Sequence, residues 1–345
     1  MFLSMFFAVL TLESVSIYSG PRPEETAVFK DWVTGCDNVR NCAAIALEPM
    51  ERAEADQLEV LIEQPLAHHL DPVVTVKLRI FHAGDEQFRL YVDDETVSHP
   101  AQFDGRWVFR GPAARSLVSS MRDGGVLTAK DGKGNAVAVA SLAGLTAALL
   151  RIDEQQGKQG TARALAKPGK RIPYDDLPGY SVTLGRPGPT DREPKMPSPD
   201  ATAKLAANET CAIDENQPVA APKAYRLDGE HSLLLMPWRC GNGAYNLYSN
   251  IMIVDYFGTP RVAEFDYDTG FTGDGPSNVL VNVIWDRDQR VLESFNKFRG
   301  LGDCGRIDRF IWDGAKFRLS EQLIMPECRM AFDRIRTWKV DVVDR

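Results

Sequence analysis

The sequence predicts a mainly β protein with two β-rich domains of sandwich or meander type, joined by a proline-rich linker, the first domain with one packed amphipathic helix. Short stretches of alternating apolar and polar residues recur along the chain, separated by Gly, Asn, Asp and Pro, as in half-buried strands and their turns. Residues 167–200 are rich in proline without a regular period, which indicates an extended linker. Residues 141–156 have apolar residues at helical spacing.

An apolar run from Phe2 to Leu12 opens the chain, and small and polar residues follow up to Gly20. This order is typical of a secretory signal peptide, although no basic residue precedes the run and Glu13 is the first charge. We therefore expect residues 1–20 to be a signal peptide, truncated at its start, and the protein to be periplasmic or secreted. The alternative is a buried N-terminal strand or a mobile tail.

The first domain is predicted over residues 27–166. The segments at 58–63 and 73–81 alternate apolar and polar residues and are predicted strands. A short helix is expected at 115–121. The main helix is expected at 141–156, with Ser141 as its N-cap.

The second domain is predicted over residues 201–345, with a short helix at its start and many short strands after it. Asp313-Gly314 separates two strand-like segments and supplies the positive φ angle that a tight hairpin turn needs. Two similar phrases, VIWDRDQRVL and FIWDGAKFRL, indicate a hairpin used twice. We therefore expect a meander or a small sandwich.

Six cysteines form an even set without any CxxC pair, which favours disulfides over zinc or thiol redox chemistry. Pairing of neighbours in the sequence fits their layout best and predicts three bridges, Cys36–Cys42, Cys211–Cys240 and Cys304–Cys328. Other connectivities stay open, as does a cytosolic protein with six buried free thiols.

The net charge of −8 argues against a nucleic acid partner, because phosphate-binding domains carry a basic excess. The longest uncharged run, at 136–150, is shorter than the roughly 20 residues that a membrane helix needs. We therefore expect no transmembrane span in the mature chain.

Three segments, FKDWVTGCDNVRNCAAIAL, CGNGAYNLYSNIMIVD and FNKFRGLGDCGRIDRFIWDGAKFRL, together resemble the DUF1176 family of uncharacterised bacterial secreted proteins over about residues 27–330. The first domain is also similar to the invasion-associated locus B family, through its tryptophan and cysteine opening and a phrase like VASLAGLTAALLRID, although it lacks a second cysteine pair. The resemblance implies a periplasmic, disulfide-bonded, β-rich protein. The family has no established activity and no catalytic residues that the resemblance could assign to this chain.

Catalytic and metal-binding motifs are absent from the sequence, which has no GxSxG, HExxH or P-loop. GLGDCG matches GxGxxG by its letters, but a hairpin follows it where a dinucleotide site needs a helix. The adjacent His68 and His69 would point to opposite faces of a strand, and the acidic loop at 265–275 departs from the EF-hand frame. We therefore predict no catalytic residue, no metal and no cofactor.

A binding role is predicted for the glycine-rich turn that precedes the Asp313-Gly314 hairpin. From Lys297 to Arg336 there are nine basic and six acidic residues, a local excess of three positive charges in an acidic chain. Arginines on a rigid turn bind carboxylates or phosphates in a bidentate manner, and tryptophans in strands can stack on sugar rings. The candidate binding residues are Arg299, Asp303, Arg306 and Trp312. The alternatives are that the arginines pair with aspartates of their own chain and that the tryptophans belong to the core.

These observations favour a non-catalytic binding or envelope-associated accessory factor over an enzyme. The expected partner is an anionic glycan or a protein surface in the envelope. Two alternatives stay open, a hydrolase of envelope polymers that acts through unidentified carboxylates, and a purely structural envelope protein.

Overall fold

A computed structural model describes residues 20–50, 56–67, 69–78, 88–98, 100, 105–172, 179–207, 220–238, 242–268 and 278–345. It confirms the mainly β class, because these residues form several separate sheets and three short helices. No helix among them is both long and apolar enough to cross a membrane. The predicted signal peptide lies almost wholly outside the described residues, as do Cys211 and Cys240.

The first unit of the fold is one ten-stranded sheet with two helices packed on it. Its elements are β1 Ala27–Phe29, β2 Trp32–Cys36, β3 Cys42–Ala46, β4 Asp56–Gln64, β5 Val73–Leu78, β6 Arg89–Val92, β7 Glu95–Thr96, β8 Arg106–Phe109, α1 Gly111–Asp123, β9 Val126–Lys130, β10 Ala136–Ser141 and α2 Leu145–Gln155. The strand order is β1-β2-β3-β4-β10-β9-β6-β7, and β5 lies between β4 and β8. Alternate residues of β4, Leu58, Val60 and Ile62, are buried, as the sequence pattern predicts.

Two helices cover this sheet, whereas the fold-class prediction gives the first domain one. The short helix expected at 115–121 is the longer of the two, α1, and it buries Leu117 and Met121. Ser141 is not the N-cap of α2, because it pairs with Val126 at the end of β10. The N-cap is Gly144, whose φ of +97° is favourable only for glycine.

The proline-rich segment contains the strand β11 Thr183–Arg186 and ends in the helix α3 Pro199–Ala207. A strand forms within it because residues 180–186 contain no proline, so every backbone N–H of β11 can enter a ladder. The domain boundaries at residues 166 and 201 stay a prediction.

The second unit consists of two five-stranded sheets that face each other as a sandwich. Its strands are β12 Lys223–Arg226, β13 Ser232–Pro237, β14 Tyr248–Val254, β15 Pro260–Val262, β16 Val279–Val281, β17 Ile284–Asp286, β18 Val291–Lys297, β19 Gly305–Trp312, β20 Phe317–Met325, β21 Ile335–Lys339 and, beyond the sandwich, β22 Asp341–Asp344. One sheet is β12-β13-β14-β15 with β16 beside β14, and the other is β17-β18-β19-β20-β21. Ile251 and Ile253 of the first sheet share a core with Phe310 and Leu319 of the second. Outside the sandwich, β22 pairs in parallel with β11.

The hairpin predicted at Asp313-Gly314 is confirmed as the connection between β19 and β20. The loop spans residues 313–316, and Gly314 supplies its positive φ of +100°. The side chain of Asp313 accepts hydrogen bonds from the backbone N–H groups of Ala315 (2.9 Å) and Lys316 (2.9 Å).

Two of the three predicted disulfides are confirmed, and they have different surroundings. Cys36–Cys42 joins directly opposed residues of β2 and β3 in the first unit. Cys304–Cys328 belongs to a cluster in which Met325 and Ile335 of the second unit pack against apolar residues of the first. We call the contact between the two units the junction. Its apolar residues are Val33, Ile45, Leu47, Cys304, Met325, Ala331 and Ile335.

Candidate functional site

The glycine-rich turn is closed by an ion pair of its own residues. Arg299 Nε donates to the Asp303 carboxylate over 2.7 Å, and Arg299 Nη2 donates to the other oxygen. The same buried carboxylate accepts a hydrogen bond from the backbone N–H of Met330 (2.9 Å). Burial acts to raise the pKa of Asp303, but the bonds from Arg299 and Met330 outweigh it, so that this pKa lies below its usual value. The pair thus fastens the turn to the segment that forms the junction.

Arg306 likewise pairs with a carboxylate of its own strand. Arg306 Nε donates to Asp308 over 2.8 Å, and Gln322 Nε2 donates to the other oxygen of Asp308 over 2.8 Å. Gln322 in turn accepts a hydrogen bond from the hydroxyl group of Thr337 (2.9 Å). Burial raises the pKa of Asp308 above its usual value. A row of buried polar side chains therefore crosses the second sheet of the sandwich beside Arg306.

Trp312 lies at the far end of β19 from the glycine turn. Eight residues of extended chain place Gly305 and Trp312 about 23 Å apart, at roughly 3.3 Å per residue. The indole ring is buried in the sandwich core, and its Nε1 donates to Asp228 over 2.6 Å. The structure thus brings Arg299 and Asp303 together and separates both from Trp312. Whether any of them binds a ligand stays a prediction.

A groove opens where the two sheets of the sandwich end side by side. β12 and β17 each form one edge of their sheet, and the proline-rich segment at 189–194 runs beside them. The groove between them has a volume of about 560 Å³. Tyr225 of β12 and Trp285 of β17 both line it, and Trp285 is a core residue that is only 8% exposed.

Charged side chains of both signs surround these aromatic rings. Arg226 is paired with Glu193 (3.2 Å), and Arg290 with Asp344 (2.6 Å). Arg287 is different, because its guanidinium lies over the Tyr225 ring at 5.1 Å and forms no ion pair with any described residue.

The groove also holds two aspartates, Asp191 and Asp288, that pair with no cation among the described residues. Together with Arg287, these aspartates supply the groove with charged hydrogen-bond donors and acceptors that form no ion pair with any described residue. These three side chains are therefore open to a ligand that offers both kinds of group.

A second, smaller cavity of about 350 Å³ lies beside the Cys36–Cys42 disulfide. Arg22, Glu24, Glu25 and Arg151 contribute to its lining, which contains no aromatic residue among those described. It lacks the stacking surface of the groove. No group of three or more His, Cys, Asp or Glu side chains in the described part of the chain is placed to hold a metal ion, and His68 lies outside that part.

The sequence does not predict the groove, although Trp285 is one of the strand tryptophans that can stack on sugars. The proline-rich segment is predicted to be an extended linker, and its Asp191 belongs to no motif. Two signals are present in the sequence, Trp285 in the short strand β17 and the Arg-Asp sequence that directly follows this strand at 287–288. Neither signal indicates that the proline-rich segment lies beside β12 and β17.

Comparisons with known proteins place the whole chain in one group. A family model described as "Protein of unknown function (DUF1176)" matches residues 26–343. "Uncharacterized protein YpfG" of Escherichia coli (strain K12) is 26% identical over 344 residues, which cover 95% of this chain and 94% of that protein. The crystal structure of invasion associated protein B from Bartonella henselae aligns with 14% identity and a TM-score of 0.28, over 38% of this chain and 96% of that chain. A similarity of that size does not establish a shared fold.

Proposed function

The chain belongs to the DUF1176 family, whose function is unknown, and we propose that it is a non-catalytic binding protein of the cell envelope that holds a glycan segment in the groove. The observation that carries the proposal is the meeting of Tyr225 and Trp285 with Arg287, Asp191 and Asp288. The volume of the groove, about 560 Å³, lies within the usual range of ligand sites.

A sugar chain matches this composition better than a purely apolar or purely charged ligand does. The half-buried Tyr225 ring provides an apolar contact surface for the C–H face of a sugar, and the exposed part of Trp285 adds to it. Sugar hydroxyl groups both donate and accept hydrogen bonds, so they can satisfy Arg287 and an aspartate together. A carboxylate or phosphate substituent on the glycan would add a charge-assisted bond to Arg287. We therefore expect acidic glycans to bind more tightly than neutral ones.

The proposed location in the envelope is supported by the cysteines. Every cysteine that the structure describes is in a disulfide, and such bridges persist in oxidising compartments such as the periplasm. The apolar run that begins at Phe2 adds the predicted signal for export. A secreted or periplasmic protein would meet envelope glycans directly.

The test is calorimetric titration with soluble peptidoglycan fragments and with matched acidic and neutral oligosaccharides. R287A and Y225A should each weaken binding of the acidic probes by about tenfold or more, which corresponds to loss of a charge-assisted bond or of a stacking contact. The matched controls R106A and Y91A change the same residue types in the first unit and should bind as the wild type does. Unchanged affinity in R287A and Y225A, or no binding of any probe, would overturn the proposal.

The hydrolase alternative would act in the same groove. Glycoside hydrolysis needs two carboxyl groups on either side of the scissile bond. Of the carboxylates in the groove, Glu193 is paired with Arg226, whereas Asp191 and Asp288 pair with no cation among the described residues. Chromatography of the same titration mixtures separates the two functions, since shortened oligosaccharides would indicate catalysis.

A further inference from the structure

An exposed apolar tip lies at the glycine turn, at the opposite end of β19 from the groove side of the sandwich. Two side chains of the turn and two of a neighbouring segment are well exposed, namely Phe298 (44%), Leu301 (63%), Tyr245 (41%) and Leu247 (59%). We call these four residues the tip. Soluble proteins rarely group apolar side chains in this way unless the surface has a partner.

The turn that carries Phe298 and Leu301 is in contact with the segment that carries Tyr245 and Leu247. A Cβ atom added to Gly300 would lie 3.3 Å from Cδ1 of Tyr245, so the turn and the neighbouring segment are in contact. Asn246 fixes that contact, because its Nδ2 donates to the Lys297 carbonyl over 2.9 Å and its Oδ1 accepts from the Lys297 N–H over 3.3 Å.

The backbone of the turn is held in place from behind. Phe298 N–H donates to the Cys304 carbonyl (3.2 Å), and Arg334 Nη2 donates to the Gly302 carbonyl (2.7 Å). Asp303 is buried against Arg299. The turn is therefore already ordered, and it holds Phe298 and Leu301 towards the solvent. When a partner binds these side chains, no further ordering of the backbone is needed.

Cations lie beside the tip. Lys297 and Arg334 lie in or against the turn and form no ion pair with a described residue, whereas Arg299 and the buried Asp303 neutralise each other. Lys297 and Arg334 both lie close to the Phe295 ring, at 5.6 and 4.6 Å. This positive surface belongs to a chain whose net charge is −8.

We propose that the tip docks on the surface of an anionic lipid bilayer, with Phe298 and Leu301 among the headgroups and Lys297 and Arg334 near the lipid phosphates. Interfacial binding of this kind combines burial of apolar side chains with attraction of cations to anionic lipids. A bilayer accepts protruding side chains without a matching socket. A second copy of the chain fits poorly, because two tips face to face would oppose their cations.

The experiment is flotation of the full chain with vesicles of phosphatidylglycerol and phosphatidylcholine, compared with phosphatidylcholine alone. We expect binding to the anionic vesicles that weakens with added salt, because screening acts on exposed charges. The double variant F298S/L301S should reduce the vesicle-bound fraction by about tenfold, through loss of the buried apolar groups. The apolar run at Phe2–Leu12 is present in every variant, so the comparison isolates the tip.

Three controls keep the result specific. F257S removes another highly exposed apolar side chain, outside the tip, and should bind vesicles as the wild type does. R287A should also keep vesicle binding, so a failure of the groove proposal is distinguishable from a failure of this one. Thermal unfolding checks that F298S/L301S is folded.

The docking proposal is overturned by equal flotation of F298S/L301S and wild type. It is also overturned if anionic vesicles bind none of the chain. A third contrary result is a wild-type dimer in size-exclusion chromatography that F298S/L301S abolishes, since a second copy would then cover the tip.

Discussion

Arg329 Nη1 donates a hydrogen bond to the carbonyl oxygen of Lys30 over 2.7 Å, which joins residues 299 positions apart in the chain. The same guanidinium donates through Nε to the carbonyl of Glu48 (2.7 Å) and through Nη2 to the carboxylate of Asp31. One side chain of the second unit thus binds three groups of the first unit. Arg329 lies beside the apolar cluster of the junction. Its three hydrogen bonds add polar contacts between the two units to the apolar ones.

We expect R329A to destabilise the protein by about 2–3 kcal/mol, because two backbone carbonyls and a partly buried carboxylate lose charged donors. R329K should recover only part of this loss, since an ammonium group cannot reproduce the planar set of donors. Equilibrium unfolding in urea measures both.

The matched control for this prediction is R151A, which removes an exposed ion pair with Glu154 at 3.6 Å. Such pairs contribute about 0.5 kcal/mol or less. If R329A and R151A unfold at the same urea concentration, Arg329 does not hold the junction.

The Cys304–Cys328 disulfide should stabilise the junction as well as the hairpin. Its loop of 24 residues predicts a loss of about 3 kcal/mol in the C304A/C328A variant, through the greater freedom of the unfolded chain. C36A/C42A opens a loop of only 6 residues and should lose roughly 1 kcal/mol less. Urea unfolding of the two variants under identical conditions compares them, and a larger loss in C36A/C42A would contradict this assignment.

Asp228 should make stability depend on pH in the acid range. Burial acts to raise the pKa of Asp228, but hydrogen bonds from the Glu230 N–H, the Trp312 indole and His231 bring it below its usual 3.8. A carboxyl group with a lowered folded-state pKa stabilises the fold above its unfolded pKa, and the contribution is lost as pH falls through the folded pKa.

We therefore expect D228N to lose about 2 kcal/mol at neutral pH, because the amide faces donors that the carboxylate accepted. The difference between D228N and wild type should shrink as pH falls below about 4, where the Asp228 carboxyl of the unfolded chain takes up a proton before that of the folded protein does. Urea unfolding from pH 7 to pH 3 tests this. A difference that grows with acid would contradict the assignment, and D94N, at an exposed turn, is the control.

Features fixed by neighbouring residues were the ones predictable from sequence. The cysteine spacing, the Asp313-Gly314 turn and the alternation in β4 each depend on local chemistry, and all three are found in the structure. Ser141 shows the limit of a local signal, because its side chain suits an N-cap but its backbone is taken by the ladder with Val126.

Features that join distant segments were not predictable. The parallel pairing of β11 with β22 and the groove beside Tyr225 and Trp285 depend on where a proline-rich segment returns to the sandwich. The role of Cys304–Cys328 in the junction depends on the docking of two units. Composition and periodicity carry no information on such contacts, because the partner residues are far apart in the chain.

Gly144 is the glycine whose replacement should affect the first unit most. It has a φ of +97°, and an added Cβ would lie 1.8 Å from the carbonyl oxygen of Phe29. We expect G144A to cost about 3 kcal/mol or more, because left-handed strain adds to a clash with backbone that cannot move freely. The control is G134A, at a φ of +88° in open space, where strain alone should cost about 1 kcal/mol. Thermal unfolding compares G144A with G134A. An equal loss of stability in the two variants would show that the contact between α2 and β1 accommodates the added Cβ at no cost.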